Sequence, residues 1–223
     1  SEKPGLDRVV DITQIPELHH IARSDGAVVI GAAATFSEII ESAVVCETAP
    51  VLAQACRSVG ATQIRNMGTL GGNVANAAAC ADSLPALVCL DAAARVLTPN
   101  GELTWPVAEM IIRPNRTQIP PGGLLVSLSY GVPAPGSRSV FVKLGRRNAM
   151  AISRLTVAAL GRVGPDGRIA EARLAPGSAT PQIRRFTAVE QLLVGETPSI
   201  TLCEAAGQLA VSEMTKVTGK RWS

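Results

Sequence analysis

Three glycines fall within five positions in the run Gly68-Thr69-Leu70-Gly71-Gly72-Asn73. Residues without a Cβ let backbone N–H groups come close to an anion, and the small or polar neighbours leave such a group room. The chemistry this suggests is the binding of a phosphate or diphosphate. The same spacing fits a tight turn with close backbone packing, and the glycines alone do not choose between the two. Two common phosphate loops are excluded, because no Gly-Lys-Ser/Thr follows and the spacing is not that of the Gly-x-Gly-x-x-Gly dinucleotide fingerprint.

Other reactive side chains are sparse. His19 and His20 are adjacent, so they point different ways on a helix or a strand and do not form a metal pair. Cys46, Cys56, Cys80, Cys89 and Cys203 are scattered, with no Cys-x-x-Cys pair. They suggest neither a disulfide framework nor a zinc or iron–sulfur site, and they read as buried apolar thiols.

The composition narrows the function classes. With 223 residues, 47% of them apolar and 17% charged, the chain has the material for a folded core and reads as two domains. Aromatic residues make up only 3%, which argues against a surface that stacks nucleic-acid bases. The net charge of +3 carries no run of five basic residues, so no polybasic patch for DNA or a membrane is expected. Every long apolar stretch is broken by Gly, Pro or charge before it could span a bilayer. Ser1 to Leu18 lacks the pattern of a signal peptide, so a cytoplasmic location is expected.

The elements that must position the glycine run alternate between strand and helix. Val28-Val29-Ile30 reads as a strand ending at Gly31, and Thr35-Phe36-Ser37-Glu38 as a capping box opening a helix toward Cys46. Pro50 suits the first turn of a second helix, Val51 to Ser58, which Gly60 stops. A short helix is expected at Pro85 to Leu90, a strand at Arg95 to Thr98 turned by Pro99-Asn100-Gly101, and another strand at Leu124 to Tyr130. Gly131 to Gly136, rich in Pro and Gly, is the best linker candidate. Beyond it, Val140 to Leu144, Ser153 to Val163 and Arg168 to Leu174 read as antiparallel strands, the last two joined by the turn Gly164-Pro165-Asp166-Gly167. Helices close the chain. Thr187-x-x-Glu190 repeats the capping-box pattern, and Ser199 to Met214 puts Leu202, Ala205, Ala206, Leu209 and Ala210 on one face. Strands followed by segregated helices make an α+β fold.

The wider string Arg65-Asn66-Met67-Gly68-Thr69-Leu70-Gly71-Gly72-Asn73, with Ala81-Asp82-Ser83-Leu84-Pro85 and Leu90-Asp91-Ala92 after it, resembles the flavin-subunit signature of molybdenum hydroxylases of the xanthine dehydrogenase and carbon monoxide dehydrogenase type. Ile15-Pro16-Glu17-Leu18, Ile30-Gly31-Ala32-Ala33-Ala34-Thr35, Phe141-Val142-Lys143-Leu144-Gly145-Arg146-Arg147 and Ala149-Met150-Ala151-Ile152 are similar to further stretches of that family. The resemblance implies an FAD-binding PCMH-type α/β domain over residues 1–133. A C-terminal domain with a three-stranded antiparallel sheet and helices would follow over 137–223.

It implies in turn that Gly68, Thr69, Leu70, Gly71, Gly72 and Asn73 hold the FAD pyrophosphate, and that Asp82 accepts a ribose or ribityl hydroxyl. Lys143 would lie near the pyrimidine end of the flavin, where a cation favours the anionic reduced form. The plainer readings are a helix N-cap for Asp82 and a solvated strand lysine for Lys143, with Arg65, Arg146 and Arg147 as surface charge. No catalytic side chain is expected, since the flavin carries the redox chemistry. Electrons would come from iron–sulfur clusters on one partner subunit, with molybdopterin on another, and leave to NAD+, oxygen or another acceptor. A dimer of such heterotrimers is a further possibility. About thirty residues carrying the family's first Gly-rich loop, the length of one strand, loop and helix unit, would precede Ser1, and the family's end would lie beyond Ser223. The 223-residue chain by itself is accordingly expected to bind FAD weakly or not at all. Two other classes fit the same residues: a stand-alone flavin oxidoreductase of the wider fold, and a non-catalytic assembly module that has lost FAD.

Overall fold

Two residues at positive φ, Asp25 (50°) and Gly26 (77°), turn the chain tightly enough to pair its first two strands. The computed structural model describes residues 9–147 and 150–219; Ala149, the start of the Ser1 to Leu18 segment and the tail Lys220 to Ser223 lie outside the described residues. A 3-10 turn at Pro16–Leu18 leads into β1 (Ile21–Ser24) and β2 (Ala27–Gly31). Six short helices follow: α1 (Phe36–Glu41), α2 (Ala43–Thr48), α3 (Pro50–Arg57), α4 (Thr62–Met67), α5 (Leu70–Asn76) and α6 (Ser83–Cys89). Then come β3 (Ala93–Thr98), β4 (Gly101–Pro106), α7 (Val107–Met110), β5 (Ile111–Arg113), β6 (Arg116–Thr117) and β7 (Leu124–Gly131). The chain continues through β8 (Arg138–Gly145), β9 (Ser153–Val163), β10 (Ile169–Gly177), α8 (Thr187–Leu193) and α9 (Ile200–Thr218).

The strands form a five-stranded sheet in the order β1-β2-β7-β3-β4, a three-stranded sheet β10-β9-β8 and the small hairpin β5-β6. All pairings are antiparallel, and the class is α+β. A single apolar cluster runs from Val28 and Ile30 in the larger sheet to Phe141, Ala158, Leu160 and Ala175 in the smaller one. Helix α6 lies between them, and all of its residues are buried. Helix α3 covers the edge strand β8, where Gln54 Oε1 accepts the Phe141 N–H at 2.8 Å and Ser139 Oγ accepts the Val51 N–H at 3.2 Å. The second bond satisfies an amide of the first helical turn, and the first occupies a rung of an otherwise open edge.

The Thr35 capping box forms as its residues suggest: Thr35 Oγ1 accepts the Glu38 N–H and Glu38 Oε2 accepts the Thr35 N–H. The helix does not run to Cys46, because the chain leaves helical geometry at Ser42, whose hydroxyl caps α2 instead. The second expected box is absent. Phe186 occupies the cap position of α8 and is buried, while Glu190 turns to Arg185 and to the Leu174 N–H. On α9 the inward stripe is Ala206, Leu209, Ala210 and Met214, packed with Phe186 and Val189, whereas Ala205 is exposed.

Candidate functional site

The glycine run is the junction of α4 and α5. Its amides are largely engaged within the protein: Gly68 N–H donates to Ile64 O, Leu70 to Ala34 O, Gly71 to Ala32 O, Gly72 to Thr69 Oγ1 and Asn73 to Thr69 O, at 2.7 to 3.0 Å. A ring of bare amides is therefore not what the run presents. Leu70 and Gly71 are buried, and a Cβ on Gly71 would stand 2.5 Å from that of Ala32, so this glycine lets α5 rest directly on the Ala32–Ala34 turn. Close packing thus accounts for the missing side chain at Gly71, and at Gly68, where a Cβ would stand 2.9 Å from the Ile64 carbonyl oxygen and 3.1 Å from the Phe36 ring. Gly72 differs. It is exposed, and a Cβ there would meet only Thr69 Oγ1. Asn73 is half-buried beside it and accepts the Ser83 hydroxyl at 2.6 Å, tying α5 to α6.

Asp82 and Lys143, 61 positions apart, meet at the N-terminal end of α6. Lys143 Nζ donates to Asp82 Oδ2 at 2.6 Å and to the Ser58 carbonyl at 3.0 Å. Ser153 Oγ donates to the other carboxylate oxygen, Oδ1, at 2.5 Å. The Asp82 side chain is 5% exposed and that of Lys143 16%, so neither is a solvated surface charge. Asp82 occupies the cap position of α6 but makes no capping hydrogen bond, which corrects the plain N-cap reading. Of an ammonium's three donors Lys143 uses two, and Asp82 retains acceptor capacity after its two bonds. Ser58 and Ser153 were not singled out from the sequence, and no local pattern marks either one.

Ser153 also lines a groove of about 1120 Å³, whose walls include Ala79, Cys80, Leu144, Leu155 and Met214. A second groove of about 530 Å³ shares Ser153 and Arg154 and adds Arg146, Arg147 and Ile152. Arg147 donates to the Met150 carbonyl, while Arg65 donates to Val59 O, Gly60 O and Thr62 Oγ1 and closes the link between α3 and α4. The cysteines divide: Cys56 and Cys89 are buried, but Cys46, Cys80 and Cys203 are exposed, contrary to the expectation of buried thiols throughout. Among the described residues no cluster of His, Cys, Asp and Glu could hold a metal ion, and no helix is long and apolar enough to cross a membrane.

Residues 2–134 match a family described as FAD binding domain in molybdopterin dehydrogenase, and residues 140–221 match the CO dehydrogenase flavoprotein C-terminal domain. The chain belongs to the flavoprotein subunits of the molybdopterin dehydrogenases, which are oxidoreductases. It is similar to the putative xanthine dehydrogenase FAD-binding subunit of Escherichia coli, with 31% identity over 92% of this chain and 71% of the relative. It is 29% identical to the 6-hydroxypseudooxynicotine dehydrogenase complex subunit alpha of Paenarthrobacter nicotinovorans, over 96% of this chain and 72% of that protein. Among solved structures, carbon monoxide dehydrogenase from Hydrogenophaga pseudoflava aligns with a TM-score of 0.86 at 27% identity, over 91% of this chain and 70% of the matched one.

A flavin dinucleotide would find here one exposed glycine, Gly72, and polar side chains with spare hydrogen-bonding capacity. The space beside Gly72 allows a close approach, and the spare donor on Lys143 and spare acceptor positions on Asp82 suit a polar ligand.

Proposed function

We propose that this chain is the FAD-carrying electron-transfer subunit of a molybdenum-dependent hydroxylase. The bound FAD would supply the redox chemistry that links iron–sulfur clusters on a partner subunit to NAD+, oxygen or another acceptor. The observation that carries this reading is the chain of Lys143, Asp82 and Ser153, which sets a compensated cation and carboxylate behind the wall of a groove of cofactor size.

In this reading Lys143 and Asp82 hold the polar part of the cofactor, with Lys143 opposing negative charge and Asp82 accepting a hydroxyl. Thr69, Gly72 and Asn73 supply the edge nearest the diphosphate, and the packing of Gly68, Leu70 and Gly71 fixes that edge in place. Residues 1–133 act as the flavin domain and 137–223 as the C-terminal domain. The partners are an iron–sulfur subunit and a molybdopterin subunit. The compartment is the cytoplasm, where the described unpaired cysteines remain reduced.

Co-expression of the full-length subunit with the products of neighbouring reading frames tests the proposal. The expected result is a complex with bound flavin absorbing near the visible maxima of FAD and with two partner subunits. Flavin without partners would favour a stand-alone oxidoreductase, and partners without flavin an assembly module.

A further inference from the structure

Ser153 is the first residue of β9, and its buried hydroxyl reaches across to the carboxylate that precedes α6. A carboxylate with two oxygens can turn about its Cβ–Cγ bond, and Asp82 has different partners on the two sides. Lys143 holds Oδ2, and Ser153 holds Oδ1. With both in place the carboxylate plane is fixed, and so is the position of the ammonium, which is also anchored by the Ser58 carbonyl. Of these groups, Ser153 lines both grooves, so its side chain is where the buried pair meets the open space.

We infer that Ser153 is a positioning residue for the cofactor: by donating to Asp82 it sets how far the Lys143 charge is directed at the bound flavin rather than absorbed by its own counter-ion. This rests on the flavin reading above and deepens it. Without the hydroxyl, Oδ1 loses its donor inside a mostly dry site, and the freed carboxylate draws more strongly on Lys143. Less positive field then reaches the groove. A flavin there would be held less tightly and would be harder to reduce to its anionic form.

The test uses the full-length subunit in its complex, as wild type, Ser153→Ala and Ser153→Thr, with FAD removed and restored. The expected result for Ser153→Ala is a dissociation constant for FAD raised about tenfold, the scale of one hydrogen bond to a charged group, with the flavin midpoint potential moved to a more negative value. Ser153→Thr retains the hydroxyl and should return both quantities toward wild type. Wild-type affinity and potential in Ser153→Ala would overturn the assignment. Equal losses in the alanine and threonine variants would also overturn it, since they would report packing at the start of β9. A wild-type complex that takes up no FAD at all would instead bring down the flavin reading, and this inference with it.

Discussion

Helix α6 has an aspartate just beyond each end, and both reach the smaller sheet, but they work in opposite settings. Asp82, at the N-terminal end, is 5% exposed and faces one lysine and one serine. Asp91, at the C-terminal end, is 52% exposed and accepts from both Arg173 and Arg185. Arg185 in turn grips Glu190 of α8 through two parallel bonds at 2.8 Å, and Arg173 pairs with Glu171. The first end is a small closed set in which each charge has a single counter-charge. The second is a spread network that water can enter. A buried pair adds little net stability as a pair, yet removing one member strands the other, whereas an open network can redistribute its contacts. The closed end is accordingly the one whose geometry a single side chain can control.

The largest test of that contrast is Asp82→Ala, which leaves the Lys143 ammonium buried without its counter-ion. A loss of about 3–5 kcal/mol in urea unfolding is expected, and a loss within error of zero would erase the distinction. Arg185→Ala comes next: it deprives Glu190 of its bidentate partner while Arg173 still serves Asp91, and about 2 kcal/mol is expected by the same measurement. Asp91→Asn keeps a residue that tolerates the left-handed backbone found there (φ 51°) and should cost under about 1 kcal/mol. That smaller cost should shrink further in 1 M salt, whereas the Asp82→Ala effect should change little across the same titration.

The buried thiols report on the two ends separately. Burial pushes the Cys56 thiol up, with the Asp82 charge adding to it, and pushes Cys89 up to about 12, with Arg173 and Arg185 pulling the other way. A raised folded-state value means that stability is fully present below the unfolded thiol's range, near 8.5, and falls as pH rises above it. At pH 8 both should stay protonated, so iodoacetamide should label Cys46, Cys80 and Cys203 in the native protein and spare the other two. Mass spectrometry of labelled peptides over time should show Cys89 yielding before Cys56, if the wetter end opens first.

Much of the smaller sheet was legible, because β8 alternates between covered and exposed positions and the Gly164 to Gly167 turn sits between the other two strands. The Asp25-Gly26 turn carried an equally good hairpin signal, and β1 could have been inferred from it. Local pattern failed where a tertiary partner won. Thr35 and Thr187 each begin the same four-residue pattern, but only the first caps a helix, since the buried Phe186 takes the second cap and Arg185 takes Glu190. The glycine run shows a different limit. Absence of a Cβ serves an approaching phosphate and an approaching backbone alike, and only the fold reveals that Gly71 is buried against Ala32 while Gly72 is exposed, with Thr69 Oγ1 as its one near neighbour. The Lys143 and Ser153 contacts to Asp82 join residues far apart in the chain, for which no spacing rule exists.

The cover that α3 provides over β8 bears on how neighbours can attach. Gln54 already answers the Phe141 amide, and the helix stands where an incoming strand would have to lie. A foreign polypeptide therefore cannot lengthen this sheet past that rung by adding backbone to backbone. Any subunit that binds along that border has to recognise side chains, which favours a chosen companion over chance self-association.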